Sequence, residues 1–151
     1  MNIRPATAAD VPAMMAVEQR AATAAHWSVA DYARLFAAGS QYLALVLEEQ
    51  QVEGFVVGRG MGAEWELENI AVAGAARRRG LGTRLVAELL DRARQAGAHH
   101  IFLEVRESNR AARSLYEKWA FVECGRRKGY YRQPDEDAVL YRFTFSVIPQ
   151  K

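Results

Sequence analysis

Cysteine is nearly absent from this chain: Cys124 stands alone among 151 residues. That excludes an intrachain disulfide and a cysteine-rich metal site. Proline is scarce and scattered, with four residues in all, and no linker, repeat or low-complexity tract divides the chain. Neither sign of charge is in excess. Lys and Arg number 20, Asp and Glu 18, and the net charge of +2 is too small to argue for a nucleic-acid partner. No apolar run is long enough to span a bilayer, so no membrane partner is expected. The start, Met1-Asn2-Ile3-Arg4-Pro5, has no apolar signal core, which leads us to expect a cytoplasmic protein.

What is present is an ordinary globular composition, half hydrophobic and a quarter charged. The length suits one compact domain over residues 1–151 with a sizeable core. The basic residues bunch at Arg77 to Arg79 and at Arg126 to Lys128. Such local bunching points to an anionic ligand rather than a basic face.

Local patterns give the element order. Asn2 to Arg4 reads as a short strand. Thr7 with Asp10 and Ser28 with Asp31 are capping boxes. The first opens a helix with the apolar stripe Val11, Met14 and Val17; the second opens a helix to about Ala38. Tyr42 to Leu47 and Val52 to Gly58 form a hairpin. Glu64 to Val72 is a strand, and Gly80 to Ala96 a long helix stopped by Gly97. His100 to Val105 is nearly continuously apolar, as expected of a strand covered on both faces. Asn109 caps a helix to about Trp119. Phe121 to Arg126 and Ala138 to Phe145 close the chain as strands, with a loop from Gly129 to Asp137. Hairpins mixed with helical crossovers imply an α/β fold with a mixed central sheet.

Arg77-Arg78-Arg79-Gly80-Leu81-Gly82 follows a strand and opens a helix. Two glycines one residue apart allow close approach of a ligand, and a helix N-terminus offers unpaired N–H donors and partial positive charge. A pyrophosphate suits that arrangement; so does an empty, solvated basic turn. A dinucleotide fingerprint would need a third glycine where Leu85 stands, and no Walker string occurs.

Glu104 lies near the C-terminal end of its strand, where open α/β sheets place ligands. Burial would raise its pKa and make it a base; an ion pair with Arg106 or another cation is the alternative. Asn109 and Tyr116 are two helical turns apart and share a face. Cys124 in its strand reads as packing.

Taken together, these strings resemble a known family. Leu103-Glu104-Val105-Arg106, Ser108-Asn109, Ser114-Leu115-Tyr116-Glu117 and Phe121 are similar to a continuous block of the RimI-type N-terminal protein acetyltransferases, members of the GNAT superfamily. Asn69-Ile70-Ala71-Val72, Arg78-Arg79-Gly80-Leu81-Gly82, Tyr130-Tyr131 with Glu136-Asp137-Ala138, and Trp27-Ser28 resemble further segments in the same order. The resemblance is dense from Leu67 to Tyr141. It implies a GNAT fold, about seven strands flanked by four helices, with acetyl-CoA as donor, no metal, and a protein or peptide N-terminus as acceptor partner; RimI-type enzymes act on the N-terminal alanine of a ribosomal protein. It implies Glu104 as general base and Tyr116 as general acid. Ile70, Ala71 and Val72 would hold the acetyl and pantetheine portion by backbone. Arg78, Arg79, Gly80, Leu81, Gly82 and Thr83 would hold the pyrophosphate, chiefly through the backbone of Gly80, Gly82 and the helix start, with the arginines and neighbouring Arg77 as auxiliary cofactor-binding charges, and Asn109 would contact the cofactor. His26, Trp27 and Tyr130 are candidates for the acceptor groove.

Glu68 departs from the family, which often has an apolar residue before N-I-A-V; it is a second candidate for the base or for acceptor binding. Ala120 and Gly74-Ala75 are turn adjustments. The chemistry favours an α-amine. At pH 7, deprotonation costs about 1.1 kcal/mol for a pKa near 7.8 and about 4.6 kcal/mol for a lysine near 10.4. A small-amine GNAT enzyme, with acidic residues closing the groove, and a non-catalytic acetyl-CoA-binding module are the alternatives.

Overall fold

The computed structural model describes residues 2–21, 25–74 and 80–146. Arg77, Arg78 and Arg79 lie outside them. The order is β1 (Asn2–Pro5), a 3-10 turn (Ala8–Asp10), α1 (Val11–Glu18), α2 (Val29–Arg34), β2 (Tyr42–Glu48), β3 (Val52–Met61), β4 (Glu64–Val72), α3 (Leu81–Gln95), β5 (His100–Arg106), α4 (Arg110–Lys118), β6 (Val122–Tyr131) and β7 (Glu136–Thr144). The strands form one seven-stranded sheet in the order β1-β2-β3-β4-β5-β7-β6. All pairs are antiparallel except β4–β5. Among the described residues, no helix is long and apolar enough to cross a membrane.

The local signals account for most boundaries. Ser28 and Asp31 exchange their capping-box bonds at the start of α2. Asn109 caps α4 by accepting from Ala112 N–H at 3.1 Å. Gly97 ends α3 with φ +96°, while Ala98 N–H reaches back to Ala93 O. Two expectations need correction. The second helix stops at Arg34 rather than near Ala38, and its chain leaves through turns. The loop expected from Gly129 to Asp137 is mostly strand. β6 runs on to Tyr131 because a bulge between Arg127 and Tyr131 absorbs the irregular register, with Gly129 at φ +60° and its N–H on Asp137.

Helices cover the two faces unequally. On one face, α3 and α4 pack Leu81, Leu85, Leu89 and Tyr116 on Leu45, Val56, Ile70, Leu103 and Val139. On the other, α1 and α2 bring Met14, Val17, Tyr32 and Leu35 onto Val46, Phe55, Val57 and Ala71. That second layer lies on β2, β3 and β4. β5 is therefore not buried on both faces, contrary to expectation. Ile101, Leu103 and Val105 are buried, while Phe102, Glu104 and Arg106 alternate onto a more open face. The expectation failed because an apolar run does not reveal whether a helix or a cleft covers its second side.

Candidate active site

Two departures from a regular sheet make the site. The first is a seam. β4 and β5 pair only from Glu64–His100 to Glu66–Phe102; beyond that, β4 continues on β3 and β5 on β7. The second is a bulge. Val57 lies opposite Asn69 and Gly58 opposite Leu67, which leaves Glu68 as the extra residue on β4. Strand parity flips there. Leu67 and Ile70 face α3 although three residues apart, and Ala71 packs toward α1. Bulges re-aim side chains in this way.

Two adjoining cavities meet at the seam. One, of about 370 Å³, is lined by His26, Glu68, Glu104, Asn109, Tyr116 and Tyr131 among others. It draws on both helical layers, because Tyr116 belongs to the α4 side and His26 to the segment beside α1. The other, of about 560 Å³, opens toward Trp27, Glu64, Glu66, Arg127 and Tyr130. Leu67, Glu68, Leu103, Glu104 and Tyr131 line both. A donor entering on the Asn109–Tyr116 side and an acceptor entering on the Trp27–Tyr130 side would meet beside two carboxylates.

The sequence-identified residues divide as follows. Glu104, Tyr116, Asn109, His26 and Glu68 share one cavity; Trp27 and Tyr130 line the other together with Glu68 and Glu104. Ile70, Ala71, Val72 and Leu81 have buried side chains, so only their backbones could meet a ligand. Gly80 caps α3 at φ +70° and brings no side chain to the helix start. Gly82 sits in the first turn, with room of 3.6–3.7 Å to Val72 and Trp119 for a Cβ. Thr83 Oγ1 accepts from Trp119 Nε1 at 2.9 Å, which orients the hydroxyl and leaves its hydrogen, with the backbone N–H, as candidate anion donors. This helix start fits a pyrophosphate.

Glu104 is exposed rather than buried. It pairs with Arg127 at 3.1 Å. Arg106, the expected partner, instead pairs with Glu136 at 3.3 Å and lies over the Tyr131 ring at 4.4 Å. Glu68, beside Glu104 in both cavities, titrates high. Burial, then a hydrogen bond with Glu66 and its charge, push it up to about 7. Tyr116 is 4% exposed, and burial drives its phenol well above the usual value. The charge of Glu104, with partial burial, also raises Tyr130.

Two further sequence readings change. In the Arg126–Lys128 run both arginines are engaged by carboxylates of the protein itself: Arg126 pairs with Glu107 and Glu123, and Arg127 with Glu104. Cys124 does not pack; it is exposed and lines the cavity of about 560 Å³. Arg127, Glu66 and Tyr131 were missed as site residues. The basic run contained Arg127 and the Tyr130-Tyr131 pair contained Tyr131, while nothing local marked Glu66.

The fold and the seam define a coenzyme-A-dependent acyltransferase, and comparison with known proteins agrees. The Acetyltransferase (GNAT) family matches residues 12–121. The [Ribosomal protein bS18]-alanine N-acetyltransferase of Escherichia coli K12 is 36% identical over 141 residues, 91% of this chain and 93% of that one. The N-alpha-acetyltransferase RimI of Mycobacterium tuberculosis is 43% identical over 86 residues, 57% of this chain and 52% of its own. Among solved structures, the E. coli ribosomal-protein-S18-alanine N-acetyltransferase superposes with a TM-score of 0.86 at 32% identity, covering 99% and 96% of the two chains. A GNAT acetyltransferase from Elizabethkingia anophelis, solved with acetyl-CoA bound, shares the fold with a TM-score of 0.78 at 18% identity, covering 95% and 97%.

The chain belongs to the GNAT acetyltransferase family. It is an N-acetyltransferase that takes its acetyl group from acetyl-CoA.

Proposed function

We propose that this enzyme acetylates the N-terminal α-amine of a protein, with an alanine-first ribosomal protein such as bS18 as the leading candidate. One observation carries the reading. The acceptor cleft is open, and it runs from the aromatic walls Trp27 and Tyr130 to the two carboxylates at the seam. An extended peptide end can enter such a cleft. The similarity over 91% of the chain to an alanine N-acetyltransferase supports it.

The neutral amine attacks the thioester carbonyl, and its proton passes to Glu104, directly or through a water. Glu68, at the same rim, is the second proton acceptor in reach of the cleft. Tyr116 acts on the leaving sulfur. Its raised pKa keeps the hydroxyl protonated at neutral pH. Thiols ionise near 8.5, so complete proton transfer from this phenol is uphill. Tyr116 therefore assists mainly by hydrogen-bonding the sulfur as the bond breaks. The α3 N-terminus and Asn109 bind the donor.

A second reading rests on Glu64, Glu66, Glu68 and Glu104, which line the same cleft. Four carboxylates against one Arg127 would also suit a cationic small amine. Coenzyme A release against peptides varied at their first two residues, with polyamines and aminoglycosides as controls, decides between them. Turnover on peptides beginning with alanine is the expected result. Turnover confined to the small amines would overturn the peptide reading.

A further inference from the structure

We propose that Glu18 and Asn69 form a buried clamp that holds the segment around His26 in the shape the acceptor cleft requires, both acting as positioning residues, Asn69 from the wall of the cavity that holds Glu104 and Tyr116. The proposal rests on reading the side of the seam near Trp27 as the acceptor side.

His26 stands at φ +59°. That region is costly for a residue with a Cβ, and such a conformation persists only where its surroundings over-determine it. Here they do so from both sides. Ala25 N–H donates to Asn69 Oδ1 at 2.9 Å. Trp27 N–H donates to Glu18 Oε1. The two acceptors are tied to each other, because Asn69 Nδ2 donates to Glu18 Oε1 at 3.2 Å. Tyr32 OH donates to the second oxygen, Glu18 Oε2, and the Tyr32 ring packs edge-on against Trp27 at 5.4 Å.

Both acceptors are deep in the protein: Glu18 is 3% exposed and Asn69 2%. Burying a carboxylate is costly unless its oxygens are satisfied. Three neutral donors converge on this one. An ionised carboxylate is acceptor-only, so it can receive all three without presenting a competing hydrogen. A glutamine here would turn an N–H₂ toward Tyr32 or toward Asn69 and Trp27. The amide of Asn69 is likewise oriented at both ends, donating to Glu18 and accepting from Ala25.

The placement ties the clamp to the site. The bulge puts Asn69 on the α1 side, while its neighbour Glu68 lines the cleft. Ala25 and His26 line the cavity that holds Glu104 and Tyr116, and Ala25 and Trp27 line the acceptor-side cleft. One strand therefore carries, at adjacent positions, a carboxylate for the site and the anchor for the site's opposite wall.

The test combines kinetics with hydrogen exchange. Asn69→Ala should raise the KM for an alanine-first peptide at least tenfold and leave the KM for acetyl-CoA within twofold. Glu18→Gln should behave similarly despite its near-identical shape. The Ala25 and Trp27 amides should be protected in the wild type and exchange at least 100-fold faster in Asn69→Ala, while amides of β3 and β5 keep their protection. Equal rises in both KM values, or Ala25 and Trp27 amides unprotected in the wild type, would overturn the clamp. Tyr32→Phe serves if the other variants fail to fold: it should speed exchange at Trp27 more than at Ala25, and unchanged exchange at both would overturn the clamp. Exchange does not depend on turnover. An enzyme inactive on every peptide would therefore refute the proposed acceptor while the clamp is judged by its amides.

Discussion

Arg127 on β6 reaches across β7 to pair with Glu104 on β5 at 3.1 Å. Leu140 of β7 lies opposite Glu104 and Ala138 opposite Arg127, so the pair spans β7 diagonally.

Both partners are partly exposed, and such pairs contribute about 0–1 kcal/mol to stability. Arg127→Ala should therefore leave the melting temperature nearly unchanged. Untethering Glu104 should still lower kcat/KM for the acceptor by about five- to tenfold, since small misplacements of a reacting group are costly. Steady-state kinetics alongside thermal melts checks this. A lower melting temperature with unaltered kinetics would make the pair structural.

The division of labour between the two carboxylates can be read from pH profiles. Glu104→Gln should slow single-turnover acetyl transfer by about 10²- to 10⁴-fold, and Tyr116→Phe should also slow it. Glu68 titrates near 7 because of burial and of Glu66 beside it. Below that pH it is protonated and cannot accept a proton. The wild-type kcat profile should rise through pH 7 and lose that inflection in Glu68→Gln. If the variant keeps the inflection, it belongs to the substrate amine and Glu68 is a bystander.

The same shift has a sign for stability. The folded value of Glu68 lies above its unfolded value of 4.5, so the folded state holds the proton more tightly. Its favourable contribution is complete below about pH 4.5 and is lost as pH rises to about 7. Glu68→Gln should therefore stabilise the protein at pH 8 by about 1–2 kcal/mol, after discounting for partial exposure, and do little at pH 4. Denaturant melts at the two pH values measure it. An equal effect at both would remove ionisation as the cause.

The two glycines of the loop have different reasons. Gly80 needs its left-handed backbone; a Cβ there would meet nothing within 4 Å, so Gly80→Ala should cost about 1–2 kcal/mol through conformation alone. At Gly82 a methyl would make ordinary contacts of 3.6–3.7 Å. Gly82→Ala should fold as well as the wild type yet bind acetyl-CoA at least about tenfold more weakly, because close backbone approach at a helix start is what phosphate binding uses. Calorimetric titration gives the Kd; an unchanged value would move the pyrophosphate elsewhere.

How much of this was legible beforehand depended on the range of the interaction. Ser28 with Asp31, Asn109 and Gly97 act within a turn of helix, and their boundaries were readable. The sheet's mixed character followed from its hairpins and crossovers. Glu68 was visible as a departure from a family pattern, but Glu66-Leu67-Glu68-Asn69 carries no mark of the bulge that places it. Glu104 was found by resemblance and misjudged in burial, because the extent of α1 and α2 cover is a tertiary fact. Arg127 and the Glu18–Asn69 clamp depend on residues 23 and 51 positions apart, beyond any local signal.

The seam between β4 and β5 has a consequence for association as well as for catalysis. Sheet edges invite other chains to add strands, and proteins usually guard them on the outside. Here two strand edges face each other inside the molecule, joined by three residue pairs and then parted. The unpaired stretch of edge lines a cavity walled by Asn109 and Tyr116 on one side and His26 on the other, so it lies inside the fold rather than at its outer margin.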